Sequence, residues 1–382
     1  MLKNKIYKYF ASEILKSFLT ILFAFTAIAW TVRAVNFLDL IVENGHAIST
    51  YLYFSLLNIT NIITKFIPLS FLMALFLSIL KFERQNELII LWTSGFNKIK
   101  LANLFFLISV FILIVQLTFA TFVTPNSLNK SRDFIKSSDF DSLNSIIRVN
   151  NFSDNFQDVT MYVLSKDKNN QLNNIFIRDD ENSFSGIIGN NEKSSNTTIT
   201  AKRGYFNDGI LILEDGIIQT QNMNKKIKTM NFKKTQLSMS SLTTRTTTKP
   251  KLQETLTSIL ISCFSKKESK KIIQNMFCPQ DPAKITEVIE HLSRRVGMPI
   301  YIPLVSLICS FLLISTKNKK YSFLHKYFYF IIAFIILLLA EVLVRYSGFS
   351  KINTIIYFSI PVILSPIIYL ILLKKLAYEK FK

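Results

Sequence analysis

The chain has 382 residues with a formal net charge of +20, and 49% of the residues are hydrophobic. The apolar residues cluster in long runs, which argues against a single soluble domain and indicates a multi-span membrane protein with one soluble insert. Because the Lys residues are spread along the whole chain and many flank apolar runs, we expect a membrane and no nucleic acid as the partner. The 3 Cys residues cannot form a disulfide framework.

The first part of the chain contains three apolar runs, each long enough to cross roughly 30 Å of hydrocarbon. They cover residues 14–35, 51–80 and 101–123. Lys3, Lys5 and Lys8 precede the first run, and an excess of Lys places that side in the cytoplasm. Pro68 is predicted to kink the second span, and Pro125 is predicted to mark the outer end of the third.

Residues 83–96, ERQNELIILWTSGF, are predicted to form a short amphipathic helix on the cytoplasmic surface between the second and third spans. One ridge of this helix carries three apolar side chains at i, i+3 and i+4, namely Leu88, Leu91 and Trp92. The other side carries Glu83, Glu87, Ile90 and Ser94. Gly95 stands where a left-handed residue often ends a helix. A soluble partner can grip such a helix, and the plain alternative is a connector between two spans.

Residues 126–250 are polar, contain no span and are predicted to form an all-β domain outside the membrane. Short alternating or apolar runs are separated by turn-rich stretches, at residues 144–149, 159–164, 174–178, 197–202, 210–213, 216–219 and 227–239. About seven strands at this spacing favour a β-sandwich or an open barrel. Such a domain can be an inert ectodomain or a trough for an amphipathic molecule, and the strand pattern alone does not separate the two.

The pattern becomes helical after Pro250, and residues 251–296 are predicted to be a helical connector that lies outside. Asp281 and Pro282 are typical of an N-cap and a first helical position, and the helix that follows runs into the fourth span. Cys263 and Cys278 lie in this connector, where a disulfide is chemically permitted, but nothing in the sequence fixes their distance.

Three further apolar runs complete a predicted 3 + 3 arrangement of spans, at residues 299–315, 327–346 and 353–373. Lys residues cluster after the fourth and the sixth span, so both termini are expected in the cytoplasm. The predicted divisions are spans one to three with the surface helix (1–125), the β-domain (126–250), the connector (251–296) and spans four to six (297–382).

The chain lacks the common sequence signatures of an enzyme. It has no GxxxxGK[ST], GxGxxG or HExxH motif, so it does not bind ATP through a P-loop of its own. His46, His291 and His325 are scattered over an outer loop, a helix and an inner loop. We therefore expect no catalysis and no cofactor or metal bound by this chain, although a Ser- or Asp-based site would escape a motif search.

Charged residues in or near the spans indicate a site at the outer leaflet. Arg33 lies at the outer end of the first span and Lys65 in the outer part of the second. Glu341 and Arg345, at i and i+4 near the outer end of the fifth span, are candidates for an ion pair. Charges within spans are costly and usually face an interior or a water-filled cavity. These cations are candidates for contacts with lipid phosphates, and the alternative for each is snorkelling to the headgroups.

The chain resembles the lipopolysaccharide-export permeases, the LptF/LptG family of ABC transporters, over nearly its whole length. The family's acidic-then-apolar segment, typically SEL..M.A.G, is matched by NELIILWTSG at residues 86–95. The family's β-jellyroll is matched by VTMYV (159–163), LNNIFIRD (172–179), ITAKRG (199–204) and LEDG (213–216). The segment RAVNFLDLIVENG at residues 33–45 favours the LptF side. Asn86, Trp92 and the long insert at residues 264–278 depart from the family pattern and leave the paralogue open.

The resemblance implies a permease that pairs with a second, LptG-like permease on a cytoplasmic ATPase dimer, which is the subunit that uses ATP. The coupling helix that docks on the ATPase corresponds to residues 83–96. Glu87 is then the polar anchor, and Leu88, Leu91 and Trp92 are the apolar knobs. The remaining residues assigned to this coupling site are Glu83, Arg84 and Gly95.

The resemblance also implies extraction of lipopolysaccharide from the outer leaflet of the inner membrane and transfer, through the periplasmic jellyroll, to an LptC-like or LptA-like bridge. Candidate substrate contacts are Arg33, Lys65 and Arg345 for the phosphates and Phe25 and Trp30 for the acyl chains. Ordinary packing is the alternative for the two aromatic residues. A hypothesis from another class is a membrane-anchored β-domain that tethers or assembles envelope proteins without transport.

Overall fold

The computed structural model describes residues 2–38, 48–141, 149–156, 159–167, 171–180, 194–207, 210–222, 227–238, 251–262, 282–314 and 319–379. Contacts divide the chain into two units, which are described separately. The helical unit comprises Met1–Val32, Asn58–Asn129 and Lys251–Lys382, and the sheet unit comprises Arg33–Leu57 and Lys130–Pro250. Cys263, Cys278 and most of the predicted strand at residues 144–149 lie outside the described residues.

The helices before the sheet are α1 (Leu2–Asn36), α2 (Ile48–Arg84), α3 (Glu87–Thr93), α4 (Lys98–Thr118), a π-helix (Phe119–Val123) and α5 (Thr124–Asp141). Those after it are α6 (Thr257–Ser262), α7 (Pro282–Ser310) with a 3₁₀ turn (Phe311–Leu313), α8 (Lys319–Tyr346) and α9 (Lys351–Glu379). Among the residues that the structure describes, six helical segments are long and apolar enough to cross a membrane. Three precede the sheet and three follow it, which confirms the predicted 3 + 3 arrangement.

The core of the helical unit is built around α7. Residues 301–313 of α7 and the 3₁₀ turn are all buried, and most of their apolar side chains, such as Tyr301, Val305 and Leu312, belong to one cluster with apolar side chains of α1, α2, α3, α4, α8 and α9. Between helices in lipid, close packing and hydrogen bonds provide the stabilisation, because hydrocarbon chains are as apolar as the side chains. Gly297 allows α9 to approach α7 closely, since a Cβ there would overlap the ring of Tyr357.

The third span differs from the prediction at Pro125. The helix does not end there but passes through the π-helix into α5, which extends to Asp141. Pro125 lies in the first turn of α5, where proline is tolerated. In the π-helix just before it the N–H of Thr124 bonds to the carbonyl of Phe119, and the hydroxyl of Thr257 donates to the carbonyl of Thr121 at 2.6 Å.

Two prolines inside the spans are compensated by a neighbouring helix. Pro68 lies inside α2 and leaves the carbonyl of Thr64 without its helical donor, and Nε2 of Gln116 on α4 donates to it at 3.4 Å. Pro361 lies inside α9 and leaves the carbonyl of Tyr357 without its helical donor, and the hydroxyl of Tyr301 on α7 donates to it at 2.7 Å. The neighbouring helices therefore satisfy backbone groups that proline releases, as a membrane interior requires.

The sheet unit contains six antiparallel strands whose spatial order follows the sequence order. They are β1 (Phe152–Phe156), β2 (Val159–Lys166), β3 (Leu172–Asp179), β4 (Ser194–Asn207), β5 (Ile210–Asn222) and β6 (Ile227–Ser238). Alternate residues such as Val159, Met161 and Val163 are buried in a single apolar cluster, as the period of a half-buried strand predicts. The prediction of a β insert is confirmed by the sheet, but residues 126–141 at its predicted start belong to the helix α5.

One predicted break in the sheet is wrong. The runs at residues 210–213 and 216–219 are one strand, β5, which pairs on both sides across the Asp-Gly step. Asp215 adopts a φ of 51° within the strand. A side chain at Gly216 would overlap the carbonyl of Thr200 and the ring of Phe232. The Asp-Gly pair therefore serves close packing inside a strand and does not form a turn.

Candidate functional site

A cavity of about 560 Å³ lies within the helical unit, and residues of α2, α4, the π-helix, α5, α7 and α8 line it. Its charged lining residues are Lys65, Glu290, Arg294, Arg295, Glu341 and Arg345, and His291 lies beside them. The structure thus brings together two of the predicted substrate contacts, Lys65 and Arg345. The cavity lining does not include Phe25 or Trp30, and Arg33 belongs to the sheet unit.

Arg294 forms ion pairs with two carboxylates. Its Nη2 lies 3.2 Å from Oε1 of Glu290 on the same helix, and its Nη1 donates to Oε1 of Glu341 on α8. The predicted pairing of Glu341 with Arg345 is therefore wrong, because α7 packs against α8 and brings Arg294 to that carboxylate. Arg345 is exposed and, within the residues that the structure describes, has no hydrogen bond or ion pair.

Arg295 is only 7% exposed and is held by neutral oxygen atoms. Its Nη1 donates to Oγ1 of Thr257 at 2.7 Å. Its Nη2 donates to the carbonyls of Leu252, Gln253 and Thr255 at 3.0, 3.2 and 3.0 Å. Arg294 and Arg295 are adjacent on the helix predicted to lead into the fourth span. Nothing in the sequence indicates that their hydrogen-bond partners differ.

Uncharged polar side chains of α2, α4 and α5 also line the cavity. Oγ1 of Thr64 on α2 lies 2.7 Å from Oγ1 of Thr124 on α5, and Gln116 bonds to the backbone of Thr64. In the described part of the chain, Oε1 of Gln116 is buried without a hydrogen-bond partner. The π-helix forms part of the lining through Ala120. Helices with π-turns often carry functional sites, and this one widens the third span beside the cavity.

The two aromatic residues predicted to contact acyl chains lie elsewhere on α1. Phe25 packs against Phe66 of α2, with ring centroids 5.8 Å apart. Trp30 is half-buried. For Phe25, packing between two helices is thus the environment observed, and its assignment to substrate stays a prediction.

The segment predicted to be the coupling helix contains a helix, α3, that is shorter than residues 83–96 and begins at Glu87 after a left-handed Asn86 (φ 60°). Gly95 has a φ of 80°. The N–H of Gly95 bonds to the carbonyl of Trp92, and the N–H of Phe96 bonds to that of Leu91, both at 3.1 Å. This is the Schellman pattern of a helix end, and it confirms that Gly95 ends the helix in the left-handed conformation.

The apolar ridge of α3 faces inward. Leu88 and Leu91 are 5% and 7% exposed and belong to the core of the helical unit. They cannot also be knobs that enter a partner, so this part of the prediction is wrong. The side chains presented outward are Ile89 and Ile90, which are 55% and 65% exposed. Trp92 is half-buried, with Nζ of Lys98 5.5 Å from its ring centre.

Polar contacts tie the ends of this segment to other helices. Oε1 of Glu87 accepts a hydrogen bond from the hydroxyl of Tyr9 on α1 at 2.9 Å. Lys326 on α8 forms an ion pair with Glu83 at the end of α2. Lys81 bonds to Glu13 at 2.6 Å. Arg84 is exposed.

A groove of about 420 Å³ lies between α1 and α3, with Glu87 and Ile90 among its lining residues. The second carboxylate oxygen of Glu87 is buried and, over the described ranges, has no hydrogen-bond partner. A carboxylate that retains an unused acceptor beside a groove is suited to receive a donor from another molecule. No cluster of three or more metal-ligating side chains occurs among the residues with described positions.

The membrane-length helices and the inserted antiparallel sheet define a multi-pass membrane protein with an inserted β-domain. The sequence model of the lipopolysaccharide export system permease family LptF/LptG matches residues 8–375, and the chain belongs to this family. It is therefore a transporter component of the inner membrane and not an enzyme. Over 303 residues it is 22% identical to uncharacterized protein RP871 of Rickettsia prowazekii (strain Madrid E), and the alignment covers 77% of each chain.

Proposed function

We propose that this chain is a permease subunit that extracts lipopolysaccharide from the outer leaflet of the inner membrane and delivers it to a periplasmic bridge, LptC-like or LptA-like. The observation that carries the proposal is the cavity within the helical unit, which is lined by four cations and by apolar side chains of α2, α7 and α8. An anionic glycolipid needs such a combination, because its phosphates require positive partners and its acyl chains require an apolar wall.

We assign the phosphate contacts to Arg345 and Lys65. Arg294 is already paired with two carboxylates, Glu290 and Glu341, and we do not assign it to the ligand. Arg345 has no such internal partner among the described residues and is exposed, so its guanidinium can turn to a ligand. Arg groups bind phosphate oxygens in a bidentate manner, which gives orientation as well as attraction.

We further propose that a separate cytoplasmic ATPase dimer drives transport by pressing on α3. In this arrangement Glu87, Ile89 and Ile90 contact the ATPase, and the contacts of Tyr9 with Glu87 and of Lys326 with Glu83 carry the displacement to α1 and α8. A second, LptG-like permease completes the complex, both termini are cytoplasmic and the sheet unit is periplasmic. The LptF-like assignment of this chain rests on residues 33–45 and stays part of the proposal.

The test is lipopolysaccharide binding and release by the complex of this chain with its partner permease and ATPase, reconstituted in nanodiscs. Arg345→Gln is expected to weaken photo-cross-linking to lipopolysaccharide by roughly tenfold, since a hydrogen bond to a charged group contributes about 1.5–3 kcal/mol. Lys351→Gln is the matched control, because Lys351 is exposed and does not line the cavity. Unchanged cross-linking in Arg345→Gln, or an absence of lipopolysaccharide binding by the wild type, contradicts the proposal and favours a tethering role.

A further inference from the structure

Arg295 differs from the other cations of the cavity in what holds it. All four of its hydrogen bonds go to residues 251–257, which follow the chain's return from the sheet unit. We refer to the described residues 251–262 as the strap. Gln253 of the strap lines the cavity, so the strap forms one of its walls.

The strap is short and consists mostly of turns. Its helix α6 comprises Thr257–Ser262, and hydrogen bonds such as that from the N–H of Glu254 to the carbonyl of Lys251 close the turns before it. Isolated helices of this length are unstable in water. The planar guanidinium of Arg295 attaches these turns to α7, because it gathers three carbonyls and one hydroxyl at fixed positions.

Thr257 extends this contact to the third span. Its hydroxyl accepts from Arg295 at 2.7 Å and donates to the carbonyl of Thr121 at 2.6 Å. That carbonyl belongs to the π-helix of the third span. A continuous chain of hydrogen bonds therefore joins α7, the strap and the π-helix, and all three border the cavity.

We infer that Arg295 is a positioning residue that fixes the strap as a wall of the cavity, and that it is not a contact for the anionic headgroup. The inference rests on the proposed function for the identity of the ligand, but its structural part does not. A headgroup contact needs positive charge, which Lys supplies as well as Arg. A positioning role needs both terminal nitrogens, because Nη2 holds the three carbonyls and Nη1 holds the hydroxyl of Thr257, and one ammonium nitrogen cannot occupy both places.

The experiment measures how readily residue 255 is labelled by a maleimide in the full-length chain within membranes. Thr255 is buried in the strap, and its side chain can be replaced in Thr255→Cys with little change in volume. The background carries Cys263→Ser and Cys278→Ser, and Cys309 is retained because it is buried. Adding Arg295→Gln or Arg295→Lys is expected to raise the labelling rate severalfold, and Thr257→Val is expected to raise it less.

Arg345→Gln is the matched control, since Arg345 borders the cavity but has no bond to the strap among the described residues, and its labelling should equal that of the parent. Lipopolysaccharide cross-linking of the same variants supplies the second readout. Equal loss in Arg295→Lys and Arg295→Gln supports positioning. Wild-type labelling in Arg295→Gln, or full rescue of both readouts by Arg295→Lys, overturns the inference. Failure of the wild type to bind lipopolysaccharide counts against the proposed function alone, because the labelling result stands without it.

Discussion

The hydroxyl of Tyr301 on α7 donates to the backbone carbonyl of Tyr357 on α9 at 2.7 Å. Pro361 lies four residues after Tyr357 and cannot supply the usual helical N–H to that carbonyl. Both tyrosine side chains are buried, and their ring centroids are 5.5 Å apart. A side chain of one span thus completes the backbone hydrogen bonding of another.

Tyr301→Phe removes this donor without removing the ring. A buried carbonyl left without a partner costs about 1–3 kcal/mol, so the variant is expected to unfold at a lower temperature in detergent. Tyr346→Phe is the control, because Tyr346 is exposed and its ring contact with Phe349 is retained. Equal unfolding temperatures for the two variants would show that the bond contributes nothing measurable.

Gly297→Ala is expected to separate α7 from α9. The added methyl group would overlap the ring of Tyr357, and overpacking of a core typically costs about 1–3 kcal/mol. The cost should be smaller in a Tyr357→Ala background, where the ring is gone. Thermal unfolding of the two single variants and the double variant measures this coupling, and strict additivity would contradict the contact.

The Ile90→Asp variant tests whether α3 binds the ATPase without disturbing the folding of the chain. Ile90 is exposed beside the Glu87 groove, whereas Leu88 is part of the core. We expect Ile90→Asp to abolish co-purification of the ATPase while thermal unfolding stays unchanged. Leu88→Ala should instead lower stability, by about 2–5 kcal/mol for a buried Leu. If Ile90→Asp retains the ATPase, the outward face of α3 is not the docking surface.

The ion pair between Glu83 and Lys326 is open to a charge swap. Glu83→Lys places two cations together and should weaken the coupling of ATP hydrolysis to lipopolysaccharide release. Adding Lys326→Glu restores an opposite-charge pair and should recover most of it. The side chains are 37% and 18% exposed, so the effect on stability itself is small, about 1 kcal/mol or less. If coupling does not recover in the double variant, Glu83 would instead be assigned a direct contact with the ATPase.

Much of the architecture was accessible from sequence because apolar length and Lys placement report directly on membrane spans. The role of Gly95 was equally predictable, since few residues other than glycine readily adopt the left-handed conformation at a helix end. The pattern in α3 was less informative. Spacing shows that Leu88 and Leu91 share a face, but it does not show whether that face meets the protein's own core or a partner.

The charged site could be predicted only in part. Lys65 and Arg345 were found because cations in apolar runs are conspicuous. The roles of Arg294 and Arg295 depend on partners 47 and about 40 residues away in sequence, Glu341 and the strap. No local pattern encodes which distant oxygen atoms reach a guanidinium group. The i, i+4 rule even suggested the wrong partner for Glu341.

The backbone carbonyls of Thr64, Thr121 and Tyr357 each accept a hydrogen bond from a side chain of a neighbouring segment. These bonds fix the position of each segment along the axis of its neighbour. If a helix slid along its axis by one residue, about 1.5 Å, the hydrogen bond would break and the carbonyl would have no donor. If the helix tilted about the hydrogen-bonded carbonyl, the bond would stay intact. Tilting of the helices about these hydrogen bonds therefore costs less free energy than sliding of one helix along another.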